Sequence, residues 1–167
     1  DLADSIMTAI ALAPFAERAT RFEDLGRLRV QECERVAAMR IELGKCGADI
    51  REAGDTLAVA PGPLRGAEIE TYKDHRVAMC FGMLGLRVPG IRLRDPGCVR
   101  KTFPNFFAKL ASLGAGVLDA DGRALARSAR RSGPSPGPAR ASTFASLLLT
   151  LRPRLRRRAQ SAPPHRA

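Results

Sequence analysis

The sequence predicts an α/β fold assembled from repeated α/β units and followed by a disordered C-terminal tail. Over residues 1–115, amphipathic helical segments alternate with short runs rich in β-branched residues. The order helix, strand, basic loop, helix and Gly-Ala occurs over residues 5–48 and recurs over residues 75–115. Residues 116–167 contain 6 of the 12 prolines and 11 arginines, and such a segment buries too little apolar surface to offset its ordering entropy.

Five elements are predicted in the first unit, in chain order: a helix over Ser5–Ala16, a strand over Thr20–Glu23, a helix over Glu32–Cys46, and hairpin strands over Asp49–Glu52 and Thr56–Ala60. Pro14 limits the last turn of the first helix. In the second helix, apolar residues recur every three or four positions and form one face, and Gly47 ends it. The hairpin is indicated by the turn-forming pair Gly54-Asp55 between its two strands.

Four elements are predicted in the second unit: a strand over Ala67–Tyr72, a helix from Asp74 to about Leu86, a strand over Gly90–Arg94, and a helix that starts at Thr102 or Phe103. Asp74 is a favourable N-cap, and both strands alternate apolar and polar residues. In the last helix, Pro104 is suited to the first turn. Its apolar stripe is formed by Phe103, Phe106, Phe107 and Leu110.

The two units repeat with a period near 70 residues. Gly47-Ala48 and Gly114-Ala115 are 67 positions apart, and Arg29-Val30 matches Cys98-Val99 at an offset of 69. This period is long for a solenoid. It is typical of a domain assembled from a few copies of one α/β unit, of which this chain contains about two.

The charge of the chain is unevenly distributed. The net charge is +11 and the pI is about 10.9, which by itself points to nucleic acid or an acidic membrane surface. Residues 1–115 contain 17 Lys and Arg against 15 Asp and Glu, whereas residues 116–167 contain 11 Arg against 2 Asp. We therefore predict a structured domain at 1–115 and an Arg-rich tail at 116–167. A basic nucleic-acid-binding module in this tail, centred on Arg152–Arg158, stays open as an alternative function.

Composition excludes several other classes of function. The chain has no Trp and one Tyr, which argues against an aromatic platform for bases. No apolar run reaches the length of about 18–20 residues that crosses a bilayer. The four cysteines form no CxxC pair and the two histidines complete no zinc pattern, so we expect reduced thiols, a cytoplasmic location, no metal and no cofactor. The first residue is Asp rather than Met, and we expect the chain to be a fragment.

Three segments place charged side chains at predicted helix starts: Arg29–Arg35, Asp74–Arg76 and Lys101–Pro104. Free N–H groups at a helix start, with Arg or Lys beside them, bind phosphate or carboxylate. Each segment alone is equally explained by a surface ion pair or a helix cap. Their equivalent places in the repeat favour a shared anion site.

Four motifs carry a family resemblance: Ala3-Asp-Ser-Ile-Met-Thr8, Arg29-Val-Gln-Glu-Cys-Glu-Arg35, Tyr72-Lys-Asp-His-Arg-Val-Ala-Met79 and Asp95-Pro-Gly-Cys-Val-Arg-Lys-Thr-Phe-Pro104. In order and spacing they resemble the C-terminal part of the 3-phosphoshikimate 1-carboxyvinyltransferase (EPSP synthase) family, over roughly residues 1–114. The Asp-His-Arg triplet favours this family over its sibling, UDP-N-acetylglucosamine enolpyruvyltransferase, which stays as the alternative. The resemblance implies part of an inside-out α/β barrel domain, in which helices pack inside a ring of sheets.

The resemblance also implies a reaction and its residues. The family transfers the enolpyruvyl group of phosphoenolpyruvate to the 5-hydroxyl of shikimate 3-phosphate and releases phosphate. Asp4 matches the base, and Glu32 matches the acid that protonates the enol methylene, for which burial would have to raise its pKa. His75 matches a supporting histidine. The cations that would hold phosphoenolpyruvate are Arg35, Arg76 and Lys101.

Two departures from the family pattern stand out. Gln31 occupies a substrate-binding position that is often Lys in the family, and Arg27 lies near the place of a family Asn. The family's N-terminal domain and the first unit of this domain are absent from the sequence. We therefore expect an inactive fragment of a usually monomeric enzyme, with no membrane and no specific nucleic acid as partners.

Overall fold

The computed structural model describes residues 5–119 and 121–125, together with the backbone of residues 146–150. Four α-helices and seven strands lie in these residues: α1 (Ile6–Leu12), β1 (Thr20–Phe22), α2 (Arg35–Lys45), β2 (Ile50–Ala53), β3 (Thr56–Val59), β4 (Glu68–Ile69), α3 (His75–Leu84), β5 (Ile91–Arg94), α4 (Phe106–Ser112), β6 (Gly116–Leu118) and β7 (Ser146–Thr150). Short 3-10 helices cover Ala13–Phe15, Leu25–Val30 and Pro96–Lys101. The predicted alternation of helices and strands is confirmed.

The internal repeat is confirmed by the order of the elements. Strands β1 and β5 begin at residues 20 and 91, the second and third 3-10 helices at 25 and 96, and helices α2 and α4 at 35 and 106, an offset of 71 residues in each case. The residue before each of these 3-10 helices, Asp24 or Asp95, has a left-handed backbone with φ of 57° or 45°. The second unit thus repeats an unusual backbone conformation of the first.

Each unit contributes strands to its own sheet. The first sheet has the order β1-β3-β2 and is antiparallel throughout, with Thr20 opposite Val59 and Ile50 also opposite Val59. The second has the order β4-β5-β7-β6, in which only the β4–β5 pair is parallel. The order β1-β3-β2 therefore matches β5-β7-β6.

Helices α1, α2 and α3 contact one another, and the sheets pack beside them. Their buried faces include Met7, Met39 and Phe81, each of which is fully removed from solvent. Burial of such side chains stabilises a domain by roughly 1.5–3 kcal/mol each. In the described part of the chain, no helix is long and apolar enough to cross a membrane.

Two helices begin later than the sequence predicts. Helix α2 begins at Arg35 and not at Glu32, because the Glu34 side chain caps it by accepting a hydrogen bond from the backbone N–H of Ala37. Helix α4 begins at Phe106 and not at residue 102 or 103, since a residue that precedes proline avoids helical dihedral angles. Pro104 is consequently outside the helix.

The predicted apolar stripe of the last helix is correct for three of its four members. Phe106, Phe107 and Leu110 are buried, whereas Phe103 is 40 % exposed because it precedes the helix. The strand predicted over Ala67–Tyr72 contains only Glu68–Ile69.

Part of the predicted tail is structured. Gly116–Leu118 and Ser146–Thr150 are strands, and β7 pairs with both β5 and β6. The boundary at residue 115 therefore does not coincide with the end of the sheet. The prediction of disorder for 126–145 and 151–167, including the Arg-rich segment at 152–158, lies outside the described residues.

A close backbone approach at Gly66 gives a stability prediction. A Cβ atom there would lie 2.5 Å from the carbonyl oxygen of Pro89 and 2.6 Å from that of Gly90. Backbone atoms cannot move aside as the end of a flexible side chain can, so Gly66→Ala should lower the free energy of unfolding by about 1–3 kcal/mol in urea titrations. Gly62→Ala is the control, since its Cβ meets nothing within 4 Å, and an equal loss in both variants would contradict this explanation.

Candidate active site

Arg35 is the centre of a buried ion-pair network. Its side chain is 2 % exposed, and its Nε donates to Asp74 Oδ2 at 2.7 Å. Its Nη2 donates to Asp74 Oδ1 at 3.3 Å and to Glu32 Oε2 at 2.5 Å. The interpretation of Glu32 and Arg35 as a surface pair is therefore wrong, because a buried guanidinium requires its partners for stability.

Asp74 performs two tasks from a fully buried position. It caps α3 by accepting hydrogen bonds from the backbone N–H groups of Arg76 at 2.7 Å and Val77 at 3.4 Å. It also binds Arg35, and the guanidinium holds the pKa of Asp74 below its ordinary value against the opposing effect of burial. The capping prediction is confirmed, and the ion pair with Arg35 adds a link from α2 to α3.

Glu32 connects the two repeats. Its Oε1 accepts a hydrogen bond from Nζ of Lys101, 69 residues along the chain, at 2.9 Å. The side chain of Glu32 is 30 % exposed. The hydrogen bond from Lys101, together with the charge of Arg35, lowers the pKa of Glu32 to about 2. The raised pKa expected for Glu32 is not found, because the hydrogen bond from Lys101 and the charge of Arg35 outweigh the raising effect of burial.

His75 is the first residue of α3 and is 3 % exposed. Its Nδ1 is buried and has no hydrogen-bond partner among the described residues. The nearest carboxylate oxygen, Glu32 Oε1, lies 3.9 Å away. Burial lowers the pKa of His75, so the imidazole is neutral near pH 7. A buried nitrogen of this kind is available to a ligand.

Arg76 faces a separate cleft beside the network. The cleft has a volume of about 220 Å³ and is lined by Ser5 and Thr8 of the first unit and by Arg76, Met79 and other residues of α3 and α4. Asp4, the predicted base, lies outside the described residues, although its neighbour Ser5 lines this cleft. Gln31 is exposed at the end of the 3-10 helix that precedes Glu32.

Two of the three charged segments reach a helix start: α3 begins at His75 after its cap Asp74, and α2 begins at Arg35 after its cap Glu34. Glu32 lies before α2, and Lys101 ends a 3-10 helix five residues before α4 begins. The structure still brings four predicted site residues together, since Glu32 contacts Arg35 and Lys101 and lies beside His75. Their convergence comes from packing of the two units and not from three helix dipoles.

Two residues of this region were absent from the sequence prediction. Glu42 of α2 is fully buried, and its Oε1 accepts a hydrogen bond from the Tyr72 hydroxyl at 2.8 Å. An acidic residue beside Met39 and Leu43 on the apolar face of a predicted helix is the signal that identifies it. Burial and this hydrogen bond raise the pKa of Tyr72. Tyr72 itself follows a strand and precedes Asp74.

The four cysteines lie apart from one another and are unpaired. All four thiols are free, and among the described residues no group of three or more His, Cys, Asp or Glu side chains is arranged to hold a metal ion. Cys33 donates to Asp74 Oδ2 at 3.5 Å, and burial with the negative charge of Asp74 raises its pKa to about 12. Cys33 is therefore a neutral hydrogen-bond donor within the network.

Comparison with known proteins identifies the family. The family model for EPSP synthase (3-phosphoshikimate 1-carboxyvinyltransferase) matches residues 1–110. The 3-phosphoshikimate 1-carboxyvinyltransferase of Nostoc punctiforme is 44% identical over 109 residues, which are 65% of this chain and 26% of the relative. The protein of the same name from Nitrosomonas europaea is 46% identical over 113 residues, which are 66% of this chain and 26% of the relative.

Solved structures show the same fold. An EPSP synthase from Acinetobacter baumannii superposes with a TM-score of 0.62 at 30% identity, over 67% of this chain and 27% of that protein. The likeness confirms the predicted inside-out α/β fold and the family resemblance. The chain spans about a quarter of the length of the curated relatives that it matches.

Proposed function

Because the chain belongs to the EPSP synthase family, we propose that it forms part of an enolpyruvyl-transfer site. In this site, the enolpyruvyl group of phosphoenolpyruvate passes to the 5-hydroxyl of shikimate 3-phosphate, and phosphate is released. The observation that carries the proposal is the convergence of Glu32, Arg35, His75 and Lys101 from both repeats. The family resemblance implies functional roles for these four residues.

The cations suit an anionic substrate. Phosphoenolpyruvate presents a carboxylate and a phosphate, which are bound well by guanidinium and ammonium groups. We assign Arg35, Arg76 and Lys101 to these anions, with Gln31 as a neutral contact to the shikimate substrate. The side chain of Lys101 is 63 % exposed and can move toward a ligand. The buried Arg35 is held by Asp74 and presents a fixed charge.

The proposed reaction is an addition followed by an elimination. Asp4 takes the proton of the 5-hydroxyl, whose oxygen attacks C2 of the enol, while Glu32 gives a proton to C3. The tetrahedral adduct then loses a proton from C3 and expels phosphate, which restores the double bond. His75 lies beside Glu32, and its Nδ1 has no partner within the part of the chain that the structure describes. This supports a role in holding the substrate or the protonated Glu32.

The anions of the substrate would also change the protonation of Glu32. Lys101 and Arg35 lower the pKa of this carboxyl and keep it ionised. When phosphoenolpyruvate engages Lys101, Glu32 loses its main hydrogen-bond donor, and its pKa rises toward the range in which it can carry a proton. The acid would therefore be generated by substrate binding.

The remaining three quarters of the family's length would complete this site. We propose that the chain alone does not catalyse the reaction and that the complete protein acts as a monomer in the cytoplasm. Four free thiols support the reducing compartment. Nucleic-acid binding by the Arg-rich tail stays an alternative that no observation tests.

A chimera tests the proposed function. Residues 1–114 replace the matching segment of the Nostoc punctiforme relative, and phosphate release from shikimate 3-phosphate and phosphoenolpyruvate is measured. We expect turnover by the chimera and none by the 167-residue chain alone, with the unaltered relative as the control. A folded chimera without turnover would refute the proposed function. Turnover by the chain alone would refute the need for the remainder.

A further inference from the structure

We infer that Glu42 is a positioning residue, whose buried carboxylate holds the segment Glu70–Lys73 in the one conformation that brings Asp74 and His75 to Arg35 and Glu32. The positioning role is argued from contacts alone. It rests on the proposed function only in the assumption that the positioned site is catalytic. Glu42 lies outside the ion-pair network. It acts on that network through the polypeptide chain that leads into α3.

Every hydrogen-bonding site of this carboxylate is occupied. Oε1 accepts from the hydroxyl of Tyr72 at 2.8 Å and from Nζ of Lys45 at 2.8 Å. Oε2 accepts from Nζ of Lys45 at 2.8 Å and from the backbone N–H of Glu70 at 3.1 Å. A carboxylate offers about four lone-pair positions, so these contacts satisfy it. Two of the three partners belong to the segment before α3.

Neutralising the charge of Lys45 does not explain why the carboxylate of Glu42 is buried. The Lys45 side chain is 42 % exposed, and water can stabilise its ammonium group, whereas Glu42 is fully buried. Burial of a carboxylate is costly unless its partners are fixed. The partners that require a buried acceptor are the Tyr72 hydroxyl and the Glu70 N–H.

The segment needs such support because of its backbone. Tyr72 and Lys73 are consecutive non-glycine residues with φ of 54° and 56°. Left-handed conformations are unfavourable for L-residues and persist only where surrounding contacts impose them. Immediately after them, Asp74 donates its backbone N–H to the Thr71 carbonyl at 2.8 Å and caps α3. The direction of α3 therefore depends on these two residues.

Helix α2 contacts the chain at two points, one within the segment Glu70–Lys73 and one at Asp74, which follows it. Arg35 and Glu42 are seven residues apart, so they lie on the same face of α2 and are separated by about 10 Å along its axis. Arg35 binds Asp74 at one point, and Glu42 binds Tyr72 and Glu70 at the other. One contact would allow the segment to pivot. Two contacts define its orientation relative to α2.

The test follows the imidazole of His75 by NMR titration in the full 167-residue chain. Glu42→Gln retains the size of the side chain but replaces one acceptor oxygen by a donor, so it cannot satisfy all the partners. If the segment loosens, His75 becomes hydrated, and its pKa rises by about half a unit or more. The second histidine, His165, is removed by His165→Gln to assign the signal.

The sign of the change separates positioning from simple electrostatics. The groups that face His75 are Asp74, Glu32, Arg76 and Lys101, and burial is the dominant influence on its pKa. Loss of the negative charge of Glu42 by itself would lower that pKa, which is the opposite direction. A lowered or unchanged pKa in folded Glu42→Gln would overturn the inference.

Two further variants complete the experiment. Tyr72→Phe keeps the charge of Glu42 and removes one hydrogen bond, so it should raise the pKa of His75 by a smaller amount than Glu42→Gln. If Glu42→Gln fails to fold, Tyr72→Phe alone tests the positioning role of Glu42. Glu68→Gln is the matched control, because Glu68 is a nearby exposed carboxylate paired with Arg94. Glu68→Gln should leave the pKa of His75 unchanged. A pKa shift equal to that in Tyr72→Phe would also overturn the inference. None of these readouts requires turnover, so they are independent of the chimera assay.

Discussion

Asp74→Ala should lower the free energy of unfolding by about 3–5 kcal/mol, the largest stability effect that we expect. The substitution leaves the guanidinium of Arg35 2 % exposed and without the partner at 2.7 Å. It also removes the N-cap of α3, which accepts two backbone hydrogen bonds and contributes about 1 kcal/mol. Urea unfolding, followed by circular dichroism, measures the loss.

An exposed ion pair provides the control for this prediction. Asp49 pairs with Arg51 at 3.2 Å, and both side chains are more than half exposed. Asp49→Ala should therefore change stability by less than about 1 kcal/mol. Asp74→Asn keeps much of the helix cap but loses the charge. Its loss of stability should lie between those of Asp49→Ala and Asp74→Ala. Equal losses of stability in Asp49→Ala and Asp74→Ala would show that the buried, unpaired Arg35 is not the cause of the loss in Asp74→Ala.

Glu32→Gln should lower the kcat of the chimera by about 10²–10⁴-fold, the magnitude typical of a lost general acid. Glutamine has nearly the same shape and can still accept a hydrogen bond from Lys101, but it carries no carboxyl proton. The KM for phosphoenolpyruvate should stay similar or fall, because Lys101 and Arg35 lose a competing anion. Steady-state phosphate release, with each substrate varied in turn, measures both constants.

The matched control for Glu32→Gln is Glu23→Gln. Glu23 follows β1, is 62 % exposed and pairs only with Arg21 among the described contacts. Its substitution should leave kcat unchanged. If Glu32→Gln retained the kcat of the parent chimera, the proposed role of Glu32 as the acid would be excluded. A large rise in KM with unchanged kcat would instead assign Glu32 to substrate binding.

Local sequence signals predicted most of the elements. The hairpin strands β2 and β3 were found because Gly54-Asp55 is a strong turn signal between alternating residues. Helix α3 was found because Asp74 is a good cap for an apolar helical pattern. The starts of α2 and α4 were placed three to four residues too early. A charged residue before a helix resembles one inside its first turn, and only the dihedral angles and the cap hydrogen bonds separate them.

Four of the seven predicted site residues lie together in the structure, but the electrostatics of Glu32 differ from the prediction. The charged segments and the family motifs together indicated Glu32, Arg35, His75 and Lys101, which are neighbours in the structure. They did not reveal that Glu32 is held ionised, because the pKa depends on where Lys101 lies after 69 residues of intervening chain. Residues that act on the site through the backbone, such as Glu42, have no local signature of their partners.

The sequence by itself determined the alternation of helices and strands, the 70-residue repeat, the division of charge between residues 1–115 and the tail, and the family motifs. These features depend on periodicity, composition and residue order, which are local properties of the chain. The tertiary structure decided that Arg35 is buried against Asp74, that Lys101 reaches Glu32 across the two repeats, and that β7 joins the second sheet. Burial and distance between residues far apart in sequence set these energies, and both exist only once the units have packed together.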